Sequence, residues 1–474
     1  MRHLRSIPGD RPAIFSTVTL LLVACHSTNS TEPSDAGDDL DAQSDLADAI
    51  GVARAPDAAP TVDARPGDGG LQPDASALSC SPLPAPSEPI VRVTPQEADS
   101  LPQLAAAAAP GTTILLEDGV YRMSARDEGS RRIQLAARGL TLRSANGDAE
   151  RVIIDGEYLT REMITVGADD ITIAHLTIQH AIDHPIHVSP SSSGDDVTGT
   201  LIYGARILDG GEQFVKINSN GTRDAWADFG RIECSFFQLT PAGRPRVERA
   251  SGGCYTGGID AHGARGWVVR SNTFRDLYCA GEGLAEHAIH FWTGSRDTVV
   301  ENNTIMNCAR GIGFGLVESG EARSYSDDPY PDVGYVGHYD GLIRNNVIHS
   351  DIEFFDTGIE LDQARGARVY HNTVVGAGGS FFSSIDYRFP NTRVVLRNNL
   401  TRRITMRNGA AGEVDHNRET TSLEDFADPA RGDFHLVPGS AAIDQGVAVG
   451  DSGLDVDGEP HSAGAAPDLG ADER

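Results

Sequence analysis

Positive charge is scarce in this sequence. Its 39 Lys and Arg residues stand against 68 Asp and Glu residues, the formal net charge is −29, and Lys216 is the only lysine. Binding to a phosphate backbone needs a basic surface, so this balance excludes nucleic acid as an expected partner. It also disfavours a polyanionic substrate unless cationic residues are gathered at one place.

Long hydrophobic runs are also missing. The most apolar segment, 13–24, is too short to cross a membrane as a folded helix, and it follows Arg2, Arg5 and Arg11. It ends in Leu-Val-Ala-Cys25, which resembles the lipobox of bacterial lipoproteins. The resemblance implies a signal peptide over residues 1–25, export, and attachment to the outer membrane or cell surface through a lipid on Cys25. An ordinary secretory signal with an incidental cysteine is the alternative.

Large apolar residues are few from 26 to 88, where Asp, Ala, Pro and Ser dominate. Such a segment cannot bury enough apolar surface to fold, which predicts a disordered tether. Export to an oxidising compartment favours disulfides, and we expect pairing among four of the cysteines, in one of three connectivities. A Cys-ligated metal is disfavoured because no Cys-x-x-Cys or His spacing supports it. The four cysteines are Cys234, Cys254, Cys279 and Cys308.

Helical periodicity is absent between the repeats of the central region, which disfavours leucine-rich and ankyrin stacks. Each repeat has a short apolar strand, an Asn and a further β pair. One such strand pattern with an Asn at a constant turn predicts a stacked solenoid. The clearest copies are Arg270-Ser-Asn272, Glu301-Asn-Asn303, Arg344-Asn-Asn346, Tyr370-His-Asn372 and Arg397-Asn-Asn399.

The two ends of this region also carry signals. A capping box at Thr94-Pro-Gln-Glu97 predicts a short N-terminal helix that caps one open end. The repeats and the segment 108–121 resemble the pectin-lyase-like proteins, which implies an all-β fold, a right-handed single-stranded parallel β-helix, over residues 89–410. Residues 411–474 resemble the C-terminal closing module of secreted β-helix proteins, and we expect them to cover the last rung and its strand edges.

A second strand in each repeat carries polar residues. In Ile259-Asp-Ala-His262 the first and third residues are apolar, so the second and fourth are expected to point outward and to be exposed. Titratable groups of opposite sign next to an aromatic residue favour a groove over ordinary surface. Insertions at 219–229, 240–258 and 316–339 are expected to form its walls. Stacking predicts one column of His187, Lys216, Asp260, His290, Gly313, Glu360 and Asp386, and another of Ser189, Asn218, His262, Trp292, Gly315, Asp362 and Arg388.

The stretch Tyr255 to His262 resembles the motif Tyr-Gly-(Ile or Phe)-Asp-Pro-His-Asp of mannuronan C5-epimerases, with Asp260 and His262 at its Asp and His. Lys216-Ile-Asn218 resembles the Lys-x-Asp of the preceding rung in that family, whereas Ala261 and Gly263 depart from the motif. The resemblance implies epimerisation of a uronate polysaccharide or its lyase-type cleavage.

Both reactions remove the proton beside a uronate carboxylate. We therefore expect four catalytic residues. Lys216, with Asn218, would neutralise the carboxylate, and His262 would be the base or the acid on the opposite face. Tyr255 would be its counterpart, and Asp260 would orient these groups. Further substrate contacts are expected from His187, His290, Trp292, Glu360, Asp362, Asp386 and Arg388.

Two other functions stay open. Glu360, Asp362 and Asp386 could supply the two carboxylates of a glycoside hydrolase. They could instead bind Ca²⁺, as could Asp455 with Asp457. A surface-tethered protein that binds glycan without catalysis also accounts for the lipobox, the tether and the solenoid. In each case we expect a monomer that requires no cofactor, has a polysaccharide partner, and contacts the membrane only through its lipid.

Overall fold

The computed structural model describes residues 80–123, 131–250, 254–280, 283–376 and 381–474. Cys25, with the rest of the predicted signal peptide, lies outside these residues, as does the tether as far as residue 79. Within the described ranges no helix has the length and hydropathy needed to cross a membrane.

Short strands make up most of the regular secondary structure of the described chain. Its helices are α1 (Leu101–Ala107), α2 (Arg244–Ala250) and the 3-10 helices Pro95–Ser100, Leu423–Asp425 and Pro429–Arg431. The first strands are β1 (Ile90–Val93), β2 (Thr113–Leu116), β3 (Gly119–Arg122), β4 (Ile133–Leu135), β5 (Thr141–Ser144), β6 (Val152–Thr160), β7 (Ile164–Val166), β8 (Thr172–Ala174), β9 (Thr177–Ala181), β10 (Ile186–Val188), β11 (Val197–Thr198), β12 (Leu201–Tyr203), β13 (Arg206–Leu208), β14 (Gln213–Ile217), β15 (Ala227–Asp228), β16 (Arg231–Glu233), β17 (Phe236–Gln238), β18 (Gly257–His262), β19 (Val268–Arg270) and β20 (Thr273–Arg275). The remaining strands are β21 (His287–Trp292), β22 (Ser295–Arg296), β23 (Val299–Glu301), β24 (Thr304–Met306), β25 (Arg310–Phe314), β26 (His338–Tyr339), β27 (Leu342–Arg344), β28 (Val347–Ser350), β29 (Thr357–Asp362), β30 (Ala364–Tyr370), β31 (Thr373–Gly376), β32 (Ser383–Arg388), β33 (Arg393–Arg397), β34 (Leu400–Thr401), β35 (Ile404–Arg407), β36 (Ala411–Asp415), β37 (Phe426–Asp428) and β38 (Asp433–Leu436).

Three long parallel sheets run along the chain. The groove sheet has the ten strands β4, β7, β10, β14, β18, β21, β25, β29, β32 and β35. A 14-stranded flank sheet extends from β1 and β2 through β30 to β33 and β36, and a ten-stranded back sheet extends from β3 to β34. Each coil takes one strand from the groove sheet, then one from the flank sheet, then one from the back sheet. The parallel β-helix predicted from the repeats is confirmed.

The inner sides of the three sheets enclose one apolar core. In the groove sheet, the first and third residues of the predicted strand pattern, such as Ile259 and Ala261, are fully buried. The back sheet contributes Phe237 and Phe274, whose rings stack at 4.4 Å between centroids. Apolar residues that repeat on every rung therefore stack into continuous columns, which is how a solenoid buries a core that no single rung could form.

The Asn residues that recur once per repeat form a buried hydrogen-bonded ladder. The Nδ2 of Asn346 donates to the carbonyl of Val300 at 2.9 Å and to Oδ1 of Asn372 at 2.9 Å, while its own Oδ1 accepts from the backbone N of Asn303 at 3.0 Å. The residue before each ladder Asn has a positive φ between 50° and 59°. The side-chain amides satisfy backbone groups that this tight turn would leave buried without partners. The ladder comprises Asn272, Asn303, Asn346, Asn372, Asn399 and Asn417.

The predicted N-terminal cap is confirmed. Thr94 and Glu97 form the capping box of the 3-10 helix, which leads directly into α1. Leu101 and Ala105 of α1 are buried against the core. The helix therefore covers the apolar end of the first rung.

The disulfides differ in part from the expected pairing among the last four cysteines. Cys254 does pair with Cys279, but Cys234 pairs with Cys80, and Cys308 is a buried free thiol. The residues that follow Cys80 lie along the β-helix, where Tyr203 donates a hydrogen bond to the carbonyl of Ser81. This path brings Cys80 next to Cys234. The spacing of the cysteines in the sequence gives no sign that the chain before residue 89 returns to the domain.

Residues 411–415 of the C-terminal segment, 411–474, form β36, the last strand of the flank sheet, and the residues that follow pack along the side of several rungs. The expectation that the segment covers the last rung is therefore wrong. Met406 and Val414, on the last strands β35 and β36, remain exposed. Outward-facing apolar residues on the back sheet provide the docking surface instead, and burying them stabilises the segment in this position. This second core contains Val347, Val375, Leu400, Phe426, Phe434, Leu436, Ala442, Leu469 and Ala471.

The ladder yields the first prediction. Replacing Asn346 with Ala leaves the backbone N–H of Asn303 and the carbonyl of Val300 buried without partners, so we expect the free energy of unfolding to fall by about 2–4 kcal/mol. Denaturant unfolding followed by circular dichroism measures the change. The control is Gln103→Ala on the exposed face of α1, which should have little effect. Equal stability of the two variants would show that the ladder does not contribute to the free energy of unfolding.

Candidate active site

The groove sheet has the register that the sequence pattern predicts. His187 pairs with Lys216, Lys216 with Asp260, and Asp260 with His290. Farther along the sheet the same column contains Gly313, Glu360 and Asp386, and in the second column His262 pairs with Trp292 and Asp362 with Arg388. Neighbouring strands lie about 4.8 Å apart, so successive side chains in a column can touch.

The columns point away from the core but are mostly covered, and the expectation that they form an exposed face is wrong. Lys216, Asp260 and Glu360 are each only 5% exposed. His262 and Trp292 remain half-buried. The reason is physical: opposite charges that stack at strand spacing pair with one another, and loops pack over them.

The loop 316–337, here called the wall loop, covers one side. Arg323 donates to both carboxylate oxygens of Asp228, at 2.7 and 2.8 Å, and to the carbonyl of Gly263 at 2.8 Å. At the start of the wall loop, the carbonyl of Leu316 accepts a hydrogen bond from Arg388 at 3.5 Å. The wall loop therefore extends across the rungs that carry both columns, as expected for the third insertion.

The insertion before β18 covers the opposite side. It contains α2, is joined to the next rung by the Cys254–Cys279 disulfide, and carries the exposed Tyr255. Partial burial raises the pKa of Tyr255 to about 12, and Lys216 and Asp260 lie within electrostatic range of its hydroxyl. The hydroxyl is therefore protonated at neutral pH.

Asp260 is the hub of the best-connected group, the Asp260 cluster, which also contains Lys216, His262, His290 and Trp292. Its Oδ2 accepts from Lys216 Nζ at 2.7 Å and lies 3.0 Å from His262 Nε2. Its Oδ1 accepts from Trp292 Nε1 at 2.9 Å and lies 3.4 Å from His290 Nδ1. Lys216 Nζ is 3.2 Å from His262 Nε2. Three of the four predicted catalytic residues are thus in direct contact.

The charges within this cluster follow from its contacts. Burial disfavours ionisation of Asp260, but the charge of Lys216 and the hydrogen bonds from His262 and His290 outweigh it and hold the Asp260 pKa well below its usual value. Burial is the largest influence on His262 and lowers its pKa, so the imidazole is neutral near pH 7. For His290 burial also disfavours charge, but the hydrogen bond to Asp260 outweighs it and raises the pKa.

The backbone directly after β25 fixes the orientation of the His290 ring. The carbonyl of Gly315 can only accept, and it lies 3.0 Å from His290 Nε2, so that nitrogen carries a proton. A Cβ on Gly313 would lie 2.8 Å from His287 and 2.9 Å from His290. The small residues of the column therefore make room for the two imidazoles.

Two predicted binding residues flank the cluster on its other side. Asn218 is half-buried directly after β14, and His187 has its Nδ1 3.3 Å from Glu162 Oε2. Both lie on the rungs that precede Asp260. Their contact with substrate stays a prediction.

Toward the C-terminal end of the groove sheet, the columns form a separate ionic group around Glu360. Arg388 donates to Glu360 at 3.0 Å and to Asp362 at 2.8 Å, and His287 Nε2 lies 2.9 Å from Glu360. Burial opposes ionisation of Glu360, but the hydrogen bond with His287 and the charge of Arg310 outweigh it, so its pKa lies well below the usual value.

The other two carboxyls of this group shift in the opposite direction. Burial and the charge of Glu360 raise the pKa of Asp362 well above its usual value. Burial likewise raises the pKa of Asp386 to about 6, although Arg407 contacts it at 3.0 Å. These carboxyls are buried within the protein and already have cationic partners.

A third outward column was missed by the sequence analysis. It lies three residues before the first column on each strand, where Gln213 pairs with Gly257, His287 with Arg310, and Arg310 with Thr357. The extra column arises because residues 288 and 289 both face the core, which breaks the strict alternation on which the prediction relied. A polar residue repeating at this offset is the signal that could have revealed it.

The carboxylates considered as Ca²⁺ ligands fit a cation poorly. Ligand atoms of Glu360, Asp362 and Asp386 do come within 4.8 Å of one another, but Arg388 and Arg407 occupy the same carboxylates. At the other candidate, Asp455 accepts hydrogen bonds from three backbone N–H groups at 2.7 to 3.1 Å, so its carboxylate stabilises the surrounding loops. We therefore include no metal in the proposed chemistry.

No protein-family model matches the sequence, and no curated protein matches it significantly. Solved structures share its general architecture. A pectate lyase, Pel9A, is 15% identical with a TM-score of 0.49, over 84% of this chain and 99% of the other. An alginate lyase from Paenibacillus sp. str. FPU-7 is 15% identical with a TM-score of 0.43, over 69% and 99%. PfbA, a surface adhesin of Streptococcus pneumoniae, is 10% identical with a TM-score of 0.35, over 69% and 90%. Similarity of this degree does not determine an activity.

The Asp260 cluster yields the second prediction. Lys216→Met leaves a buried carboxylate without its ammonium partner, and we expect it to lower the free energy of unfolding by about 3–5 kcal/mol. Adding Asp260→Asn removes the uncompensated charge and should recover part of the loss. Denaturant unfolding of the single and double variants measures both effects.

The matched control is Arg223→Met, which breaks the exposed ion pair with Glu321 and should change stability little. If the double variant is less stable than Lys216→Met alone, the buried charge is not what the lysine stabilises.

Proposed function

We propose that this chain is a carbohydrate-active protein that removes the C5 proton of a uronate residue in a polysaccharide, as a lyase or as a C5-epimerase. The observation that carries the proposal is the contact of Lys216, Asp260 and His262 within one largely buried cluster between two loop walls, with His262 partly exposed. The cluster combines a cation, a neutral imidazole and an orienting carboxylate, which are the groups that this chemistry needs.

Lys216 has the electrostatic role. Removing the C5 proton moves negative charge onto the neighbouring carboxylate, and a fixed ammonium in a site shielded from water stabilises that charge strongly. Asn218 follows on the same strand and could hydrogen-bond the second carboxylate oxygen. Lys216 is the only lysine of a strongly acidic chain, so its charge is concentrated where the substrate carboxylate would bind.

His262 is the base in this proposal. Nε2 of His262 lies 3.0 Å from the ionised Asp260 carboxylate, which can only accept, and 3.2 Å from the Lys216 ammonium, which can only donate. We assign the proton of the neutral imidazole to Nε2 because the carboxylate is the nearer partner. This tautomer leaves the Nδ1 lone pair free to take the C5 proton, and Asp260 stabilises the imidazolium that forms. The arrangement follows the general logic of a base that is oriented by a carboxylate.

The fate of the carbanion distinguishes the two activities. Returning a proton to C5 on the opposite face gives the epimer, whereas expulsion of O4 gives an unsaturated chain end. Tyr255 stands at the groove edge as the predicted proton-transfer counterpart of His262, and that role stays a prediction.

Glycoside hydrolysis by Glu360 and Asp386 has weaker support. A retaining pair needs two carboxyls that reach the sugar, about 5 Å apart. Here both carboxyls are at least 95% buried, and Arg388 and Arg407 bridge them to their neighbours.

Non-catalytic glycan binding is the second candidate. Its support is that Lys216 and Asp260 are themselves nearly buried, as in a structural ion pair. A tethered surface protein would need no base. The following experiment separates the two functions.

The third prediction concerns activity. A panel of alginate, pectate and other uronate polymers is incubated with the protein, unsaturated ends are followed by ultraviolet absorbance, and C5 configuration by proton NMR. We expect one polymer to respond. Lys216→Met and His262→Ala should each lower kcat/KM at least about 100-fold, because each removes a group that acts in the transition state.

The control is His435→Ala in the C-terminal segment, which should keep full activity. Thermal unfolding of each variant checks that it is folded. Product formation that survives both Lys216→Met and His262→Ala rejects this mechanism. Binding on a glycan array without any product favours the second candidate.

Export and lipid attachment are proposals that rest on the sequence of the first 25 residues. The fourth prediction is that cells expressing the full chain place it in the membrane fraction and label it with radioactive palmitate, whereas Cys25→Ala abolishes the label. Equal labelling of the two proteins would contradict attachment at Cys25.

A further inference from the structure

A second group of ionisable residues lies beside Lys216, and the mechanism above does not use it. The group comes from three successive rungs and consists of Glu162, His184, His187 and Glu212. Glu212 Oε2 is 3.7 Å from His184 Nε2, and Glu162 Oε1 is 4.0 Å from the same nitrogen. The Glu212 side chain is 30% exposed, so solvent and ligands can reach it.

The tautomer of His184 is fixed by its surroundings. Its Nδ1 lies 3.0 Å from the carbonyl of Gln213, which can only accept, so Nδ1 carries a proton. Burial lowers the pKa of His184 to about 4, so the ring is neutral near pH 7. Its Nε2 is therefore a bare lone pair, and it faces two carboxyl groups.

Three acceptors that face one another favour a bound proton. Burial opposes ionisation of Glu162, but the hydrogen bond with His187 outweighs it and lowers the Glu162 pKa, so Glu162 is the ionised partner. The proton therefore resides on Glu212. Burial first, and then the negative charge of Asp183, raise the Glu212 pKa to about 7.

Five ionisable groups lie around Glu212. Asp183 and His184 belong to the rung before Glu212, Arg161 and Glu162 belong to the rung before that, and Lys216 lies on β14, which begins directly after Glu212. Lys216 and Arg161 favour ionisation, Glu162 disfavours it, and burial remains the largest influence. Glu212 thus keeps its proton to a higher pH than an ordinary glutamate does.

Backbone contacts place Glu212 next to the reacting strand. Its carbonyl accepts from Thr256 Oγ1 at 3.0 Å and from the backbone N of Gly257 at 3.3 Å. Thr256 directly precedes β18 and Gly257 is its first residue, so Glu212 begins the rung next to the strand that carries Asp260 and His262. The Glu212 carboxyl lies within electrostatic range of Lys216, whose Nζ is 3.2 Å from His262 Nε2.

We infer that Glu212 is the proton donor of the active site, giving a proton to the sugar after His262 has taken one from C5. The inference rests on the proposed function. In elimination, the C5–H bond breaks toward His262, the C4–O4 bond breaks, the C4=C5 double bond forms, and O4 receives the Glu212 proton. In epimerisation the same proton goes to C5 on the opposite face. His262 then releases a proton to water, and Glu212 takes one back.

This assignment changes the role of Tyr255. A donor works best when its pKa lies near the working pH, and a phenol with a pKa of about 12 meets this condition less well than the Glu212 carboxyl. Tyr255 then serves to bind and orient the sugar. Glu212→Gln should therefore impair turnover more than Tyr255→Phe does.

The fifth prediction has one arm that needs no substrate. Protein labelled with carboxyl-¹³C glutamate is titrated by NMR, and one resonance that is absent from Glu212→Gln should titrate near pH 7. A Glu212 resonance that titrates between pH 4 and 5 overturns the inference, whatever the protein does to a polysaccharide.

The second arm uses the responsive polymer. Since the donor must be protonated, wild-type kcat/KM should fall as pH rises above about 7. Glu212→Gln should lose at least about 100-fold, and its residual activity should lack this decline. Glu212→Asp should recover part of the activity together with the decline. The control, Glu321→Gln, changes an exposed carboxylate and should match the wild type.

A decline above pH 7 that persists in Glu212→Gln, or a variant as active as the wild type, overturns the donor role. The two arms also separate the inference from the function on which it rests. A titration near pH 7 in a protein that acts on no uronate polymer would reject the proposed function and, with it, the donor role. Activity together with a Glu212 that titrates normally rejects the donor role alone.

Discussion

Parallel pairing at a constant spacing is the constraint on which the rest of the molecule depends. Once β14 pairs with β18 and β18 with β21, residues at equivalent positions must lie about 4.8 Å apart, whatever their chemistry. Apolar positions become core columns, and Asn positions become a hydrogen-bonded ladder. The same rule brings Lys216, Asp260 and His290 together although many residues of loop separate them in sequence.

The rule also creates an electrostatic problem, because it stacks charges where loops exclude water. The protein solves it by alternating sign: Lys216 neutralises Asp260, and Arg388 neutralises Glu360. A buried pair of this kind is costly to disrupt by removing one partner, so the residues of the candidate site also contribute to stability. Loss of activity in a variant is therefore informative only when its folding is measured alongside.

The two halves of the column differ in what a ligand can reach. Around Lys216, several groups keep some exposure, among them His187, Glu212 and His262. Around Glu360, the carboxyls and Arg388 are almost completely buried. The first half is where the proposed proton transfer would take place, and the second forms a rigid support next to it. This contrast in exposure, more than residue type, locates the candidate active site at the rungs around Lys216.

The sequence by itself determined the β-helix, the Asn ladder, the N-terminal cap and the register of both predicted columns. These features depend on local patterns that repeat once per rung, and repetition makes them legible in one dimension. Only the tertiary structure decided the Cys80–Cys234 disulfide, the lateral position of the C-terminal segment, the third column with His287 and Arg310, and the burial of Asp260. Each of these depends on where a non-repeating segment packs, and long-range packing of loops and termini leaves no periodic trace in the sequence.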